Sequence, residues 1–316
     1  MDPHLRLVNA LIGLSVGAPP WPRVLGDLGY ELYWVGPQFT LTTGRVMNPD
    51  LLLLRRDIDH ALVIEAKSGT SLKQRQLTAA AEMTVSDLWQ GASLVFGSRD
   101  RASFTYVLAC LSPGAVEVSG QLDAGKLPFP VVSFAPQSVR IERGRVGDNE
   151  LQTILESGVD LGNDLYPTQF IPFDNNSSLA EVAASLLVQI IQVIANREPH
   201  FEVQDLLEVC VPIWKRLHVN EKRQLIAASL RVIDRLRKTT DFRYVITPDP
   251  SPRTPHLYLV SLRIPRSDGG ERVVRVETLR GWADEFLKSL GDQGLPPRRP
   301  IADEGTQRAV HWGESA

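Results

Sequence analysis

Residues 48–67 read Asn-Pro-Asp-Leu-Leu-Leu-Leu-Arg-Arg-Asp-Ile-Asp-His-Ala-Leu-Val-Ile-Glu-Ala-Lys, and no other stretch limits the fold as strongly. One apolar run opens at Pro49-Asp50, a polar turn follows at 55–60, and a second apolar run closes in Glu65-Ala66-Lys67, the pattern of a β-hairpin. Period-2 geometry puts Val63, Glu65 and Lys67 on one face of the second strand, with Leu62, Ile64 and Ala66 on the other. A carboxylate and an ammonium at the end of an apolar strand are costly to desolvate unless a cation or a substrate satisfies them. Asp50 enters from the adjoining strand, so two carboxylates can converge on one hard divalent ion with Lys67 beside it. Oxygen ligands of this kind suit Mg²⁺ or Mn²⁺ and not Zn²⁺.

The rest of the first half surrounds that hairpin with alternating elements. Residues 4–16 have the pattern of an amphipathic helix, ended by Gly17-Ala-Pro-Pro-Trp-Pro22. A short helical piece at 23–29 and extended segments at 31–35 and 39–43 lead into the hairpin. A helix is expected over 72–90, strands over 104–111 and 129–134, a further strand at 137–142 and a short helix at 148–157. Gly114, Gly120 and Gly125 lie between the two apolar strands. This order predicts an α/β domain over 1–160, a mixed sheet with helices on both faces.

Residues 161–178 are rich in Pro, Asn, Asp and Gly and mark a linker. A chain of 316 residues can hold a second domain, placed here at 179–290. Ser178 with Glu181 is a capping-box signature, which starts a helix over 179–196. Further helices are expected at 203–217 and, capped by Asn220, up to about residue 238. Strands at 242–247 and 256–264 follow, which makes the order that of a winged helix-turn-helix. The tail 291–316, with Pro296-Pro297-Arg298-Arg299-Pro300 and few apolar residues, is expected to be disordered.

Net charge is −3, so contact with nucleic acid has to come from local patches, and a histone-like coating protein is excluded. One such patch is legible. Between 215 and 243 nine Lys or Arg stand against three acids. At 100° per residue, the third helix clusters Leu225, Ile226, Leu230, Val232, Ile233 and Leu236 on one face. Gln224, Ala227, Ala228, Arg231, Arg235 and Lys238 fall opposite, where long donors can reach phosphates and base edges. The two cysteines, Cys110 and Cys210, fit no zinc spacing, and the six histidines form no His-x-x-x-His pair. A reducing, cytoplasmic location is the expectation. The apolar run 182–195, interrupted by Gln189 and Gln192, is too short to span a bilayer, so no membrane partner is expected.

Pro49-Asp50, Glu65-Ala66-Lys67 and the small-residue break Ser68-Gly69-Thr70 before a helix resemble the core of the PD-(D/E)xK nucleases, the restriction-endonuclease-like superfamily. The resemblance covers about the first half of the chain. It implies a Mg²⁺-dependent DNA endonuclease, with Mn²⁺ as a substitute, of the restriction or anti-phage defence type. Asp50 and Glu65 would be the metal ligands, joined by the carbonyl of Ala66, and Lys67 would orient the attacking water or neutralise the phosphate. Many members add an early acidic residue, for which Asp27 and Glu31 are available here, with Glu31 preferred because it lies where helix gives way to strand. Lys73, Gln74 and Gln76 on the following helix are candidate substrate contacts. A Gln-x-x-x-Tyr pattern is not matched, because Ala80 stands where Gln76 would require Tyr. Two alternatives are the endonuclease subunit of a multi-subunit transposase, which typically has Gln-x-Lys, and a non-catalytic DNA-binding scaffold. A homodimer, or a place in a larger defence complex, is the expected assembly.

Overall fold

A computed structural model describes residues 2–17, 19, 21–162, 170–251, 256–266 and 269–291. The Asp2 carboxylate accepts from the N–H groups of His4 (2.7 Å) and Leu5 (3.4 Å), and this cap starts α1 (Pro3–Val16). After α2 (Val24–Asp27) come β1 (Tyr30–Val35) and a small ribbon of β2 (Phe39–Thr40) and β3 (Val46–Met47). The hairpin forms where the apolar runs predict it, as β4 (Leu51–Arg55) and β5 (His60–Lys67). Helices α3 (Gln74–Glu82) and α4 (Val85–Gln90) replace the single helix expected over 72–90. The break falls at Thr84, whose side chain forms a reciprocal capping box with Asp87.

Strand β6 (Ser103–Leu111) runs parallel to β5, and β7 (Val131–Phe134) runs parallel to β6. Parallel neighbours need a long crossover. It is supplied by α5 (Ser112–Ala124), which forms despite Gly114 and Gly120 because it buries Ala115, Val118 and Leu122 along one face. Strand β8 (Ser138–Arg143), α6 (Asn149–Ser157) and β9 (Val159–Asp160) complete the first half. The result is a seven-stranded mixed sheet in the order β1-β4-β5-β6-β7-β8-β9. One face carries Leu52, Leu54, Ala61, Val63 and Leu108 and is covered by α3, α4 and α5. The other carries Leu51, Leu53, Leu62, Ile64 and Ala109 and is covered by α1.

The second half holds α7 (Leu179–Ala195), β10 (His200–Glu202), α8 (Val203–Cys210) and a 3₁₀ turn at Trp214–Arg216. After these come α9 (Val219–Thr239), α10 (Phe242–Val245), β11 (Ile246–Pro248), β12 (Leu257–Val260), the hairpin of β13 (Arg263–Pro265) with β14 (Glu271–Val273), and α11 (Val276–Ser289). The Ser178–Glu181 capping box is present at α7. Helix α8 is shorter than expected. It stops at Cys210, since Pro212 lacks the N–H for another turn and forces Val211 out of the helical region. His218, not Asn220, caps α9. Residues 242–245, expected to be extended, form a helical turn that buries Phe242 and Val245, and only 246–248 continue as a strand. The tail from 292 on and residues 163–169 of the expected linker lie outside the described residues.

The apolar layer on the α1 face does not end at residue 160. It continues without a break into Val182, Leu186, Leu207, Leu225, Val232 and Phe286. Polar contacts tie the same seam. Buried Asn9 donates to the Ile171 carbonyl (3.0 Å) and accepts from its N–H (2.9 Å). Val35 and Leu217 form a parallel β-bridge, and the His218 N–H donates to the Val35 carbonyl (3.0 Å).

A buried polar network holds the sheet at the end where β5 begins. Tyr30, His60, Asp148 and Arg55 are all at most 9% exposed. The Tyr30 hydroxyl lies 2.7 Å from His60 Nδ1 and 3.0 Å from Asp148 Oδ2, and His60 Nε2 lies 3.0 Å from Thr105 Oγ1. Every group is satisfied if Thr105 donates to a neutral imidazole, His60 Nδ1–H donates to Tyr30, and Tyr30 donates to the Asp148 carboxylate. Burial is the main cause that pushes His60 down to about 4, with Arg55 acting in the same direction and Asp148 opposing. Below about 6.5 the unfolded chain binds a proton at this residue that the folded chain refuses. Stability is therefore expected to fall as pH drops from 6.5 toward 4, by roughly 3 kcal/mol from this one group. Denaturation curves across that range should be flatter for His60→Gln than for the parent chain, and equal slopes would contradict the assignment.

Candidate active site

The hairpin places Asp50 and Glu65 together through backbone register. The Asp50 N–H donates to the Ile64 carbonyl (3.0 Å), and Asp50 Oδ2 accepts from the Ala66 N–H at 2.7 Å. Asp50 Oδ1 faces His4 Nε2 of α1 at 3.1 Å. This bond to Asp50 is the main cause that raises the His4 pKa. The first helix therefore contributes a histidine to the site, where the sequence offered no acid on that helix.

Alternation along β5 brings Glu65 and Lys67 to one face, and Lys67 Nζ donates to Glu65 Oε1 at 2.7 Å. It also donates to Gln76 Oε1 at 3.2 Å, so α3 braces the lysine from above. Both side chains of the ion pair are largely enclosed, 13% exposed for Lys67 and 8% for Glu65. Glu65 Oε2 is buried without a hydrogen-bond partner. Burial first, and then the neighbouring Asp50 charge, push the Glu65 carboxyl up to about 6 despite Lys67. A buried carboxylate oxygen with no donor is unfavourable in the fold as it stands, and a cation would relieve it.

No three His, Cys, Asp or Glu side chains among the described residues already close around a common point. The donor chemistry nonetheless fits a hard divalent ion: two carboxylates, one oxygen of them unpartnered, in a site whose remaining polar groups are the His4 imidazole, the Gln76 amide and the Lys67 ammonium.

The other expected residues divide. Gln76 lies at the site through Lys67. Lys73 and Gln74 are exposed where α3 begins, and the hydrogen bonds and ion pairs of Asp50, Glu65 and Lys67 go to other groups. Glu31 is not part of the cluster. It pairs with Leu54 across the ladder, while Asp50 adjoins Leu51, which pairs with Val35, so it sits near the opposite end of the strand, roughly 10 Å along it. It is 58% exposed and pairs with Arg56 at 3.5 Å.

The second half reaches the site at a position with no signal in local sequence pattern. Gly36, Gln38, Asn48, Pro49 and Asp50 line one side of a cleft of about 560 Å³, and Asn220, Glu221, Arg223 and Gln224 of α9 line the other. Farther along the same helix, Arg231, Arg235 and Lys238 form a shallow groove of about 430 Å³ with Ser177, Leu179 and Asp234. Lys238 pairs with Asp234 at 2.7 Å. Ala227 is exposed as expected, but Ala228 is fully buried, since it lies on the edge of the stripe that packs into the core.

No described helix is long and apolar enough to cross a membrane. No curated protein and no solved structure matches the chain. The model of one family, the MJECL32 domain, matches residues 3–94, a stretch that runs from α1 through α4 and contains His4, Asp50, Glu65, Lys67 and Gln76 but none of α9.

Proposed function

We propose that the chain is a divalent-metal-dependent DNA endonuclease of the PD-(D/E)xK type, acting in restriction or anti-phage defence. The observation that carries this reading is the buried Glu65 carboxylate, with one oxygen unpartnered, beside Asp50 and Lys67 at the end of one hairpin. Its motif hairpin followed by a helix is the arrangement that the resemblance implies. Asp50 and Glu65 would hold Mg²⁺ or Mn²⁺, with the Ala66 carbonyl completing the protein's share. When bound, such an ion supplies charge stabilisation on the scissile phosphate and lowers the pKa of a coordinated water. Lys67, bonded to Gln76, would orient the attacking water or neutralise phosphate charge.

The second half would supply the DNA contact. Order α7, β10, α8, α9, β11, β12, with β12 between β10 and β11, supports a winged helix-turn-helix with α9 as its reading helix. Gln224, Arg231, Arg235 and Lys238 recur along one stripe of α9, roughly 21 Å long at 1.5 Å per residue. The Gln224 end of this stripe opens into the Asp50 cleft, so a phosphate backbone following α9 would arrive at the cutting site. One site cuts one strand, and a homodimer would pair two sites across a duplex.

Purified protein with linear, nicked and single-stranded DNA is expected to cleave in Mg²⁺ or Mn²⁺ and to be silent in EDTA. Silence on every substrate with both metals would overturn the reading. Charge reversal of Arg231 and Arg235 in the full chain should weaken duplex binding by about tenfold or more. It should also flatten the salt dependence of binding by about two counterions. Unchanged binding and an unchanged salt slope would remove α9 from the DNA contact.

A further inference from the structure

We propose that Tyr106 of β6 is a positioning residue for the Asp50–Glu65 cation site: its buried hydroxyl donates toward Glu65 Oε2 and holds that carboxylate for a divalent ion. This inference rests on the metal-site reading above and concerns a residue outside the hairpin and outside the family match.

The placement follows from register. Parallel pairing of β5 with β6 sets Val63 opposite Tyr106 and Glu65 opposite Leu108. Val63, Tyr106 and Leu108 all belong to the apolar layer under α3, α4 and α5, and alternation along β5 puts Glu65 on that same face. Tyr106 and Glu65 are therefore diagonal neighbours on adjacent strands, a spacing that an aromatic side chain can reach across. Tyr106 is only 3% exposed, and its ring rests against Phe129 with centroids 5.1 Å apart.

Four buried side-chain polar atoms lack a hydrogen-bond partner among the described residues: Glu65 Oε2, the Tyr106 hydroxyl, Ser119 Oγ and His256 Nδ1. The first two belong to this diagonal pair, and they are chemically complementary. An ionised carboxylate oxygen can only accept, whereas a phenol has a proton to give. Burial first, and then the charges of Glu65 and Asp50, push the Tyr106 hydroxyl well above its usual range, so it keeps that proton beside the two carboxylates. Glu65 Oε1 already accepts from Lys67 at 2.7 Å. A donor to Oε2 would restrain the carboxylate from its other side and leave that oxygen a lone pair for the ion. Phenylalanine would fill the same volume without burying an unpaired hydroxyl, so packing alone does not account for a tyrosine here.

The test is Mn²⁺ binding to the full-length protein, read by calorimetry and by the rise in melting temperature on adding Mn²⁺, beside urea denaturation without metal. Tyr106→Phe is expected to weaken Mn²⁺ binding by about tenfold or more, the scale of effect seen when a group that supports a metal ligand is lost. Its stability without metal should equal or exceed the parent's, because an unpaired hydroxyl leaves the core. Phe129→Leu loosens the packing on the same ring but keeps the hydroxyl, so it should lower stability and retain the parent's affinity. If Tyr106→Phe binds Mn²⁺ as the parent does while Asp50→Asn loses binding, Tyr106 has no part in the site and the hairpin reading stands. Lower metal-free stability in Tyr106→Phe would also overturn the proposal, since the hydroxyl would then serve the fold. Equal weakening by Phe129→Leu would assign the effect to packing and overturn it too. If the parent binds no Mn²⁺, the metal-site reading itself fails and this inference with it.

Discussion

Glu65→Gln is expected to abolish metal-dependent DNA cleavage while making the protein more stable. Loss of a group that stabilises the reacting phosphate only in the transition state costs roughly 10³-fold or more in rate. Asp50→Asn should have a comparable effect on cleavage, and both should lose Mn²⁺ binding. Lys67→Ala should lose cleavage but keep the ion, because its ammonium is a donor and not a ligand. The stability gain follows from the direction of the Glu65 shift. Burial and Asp50 raise its carboxyl from 4.5 to about 6 in the folded chain. Between those values the unfolded chain releases a proton that the folded chain keeps, so the native state loses stability as pH rises through that window. At pH 7.5 the penalty is fully present, on the order of 1–2 kcal/mol, and the neutral amide removes it. Urea denaturation at pH 7.5 without metal measures this directly. Cleavage retained in either carboxylate variant would end the assignment of the site. A destabilised Glu65→Gln protein would mean that the carboxylate serves the fold.

Asp148→Ala is expected to be the most destabilising single change in the first half, at about 3–5 kcal/mol. Its Oδ2 accepts from Arg55 Nη1 at 2.8 Å and from Tyr30 at 3.0 Å, and its Oδ1 accepts from the N–H groups of Glu150 and Leu151, capping α6. Burial alone would raise the Asp148 pKa, but the bonds from Arg55, Leu151 N–H and Tyr30 pull it below the usual carboxylate range. Truncation leaves a guanidinium only 10% exposed to share Asp57 and Glu150 from the surface side, strands the Tyr30 hydroxyl and removes a helix cap. Asp148→Asn keeps acceptors for the cap and the tyrosine, so it should cost less. Chemical denaturation with both variants distinguishes charge from cap. A loss below about 1 kcal/mol for the alanine variant would show that Asp57 and Glu150 suffice for Arg55.

The hairpin, its facing and the cluster of Asp50, Glu65 and Lys67 were readable from local sequence, because strand alternation has period 2 and needs no knowledge of neighbours. Ser178 and Glu181 announced α7 for a similar reason: a cap is satisfied within four residues. The break at Thr84 carried the same kind of signal in Asp87, although a continuous helical composition over 72–90 obscured it. Helix α5 had no such local support. Gly114 and Gly120 argue against it, and it exists because two parallel strands require a crossover that the sheet face then buries.

Tertiary structure also decided which acids and which histidine meet. Glu31 follows the correct chemistry but sits at the wrong end of its strand, with Arg56, since register and not residue type sets its position. His4 reaches Asp50 because α1 packs across the sheet, and Glu221 lines the same cleft because the Val35–Leu217 bridge docks α9 there. These partners lie 46 and 171 residues from Asp50 in the chain. Periodicity reports which face of its own element a residue occupies. The partner it meets across the core is set by how the elements pack, and only the folded chain contains that information.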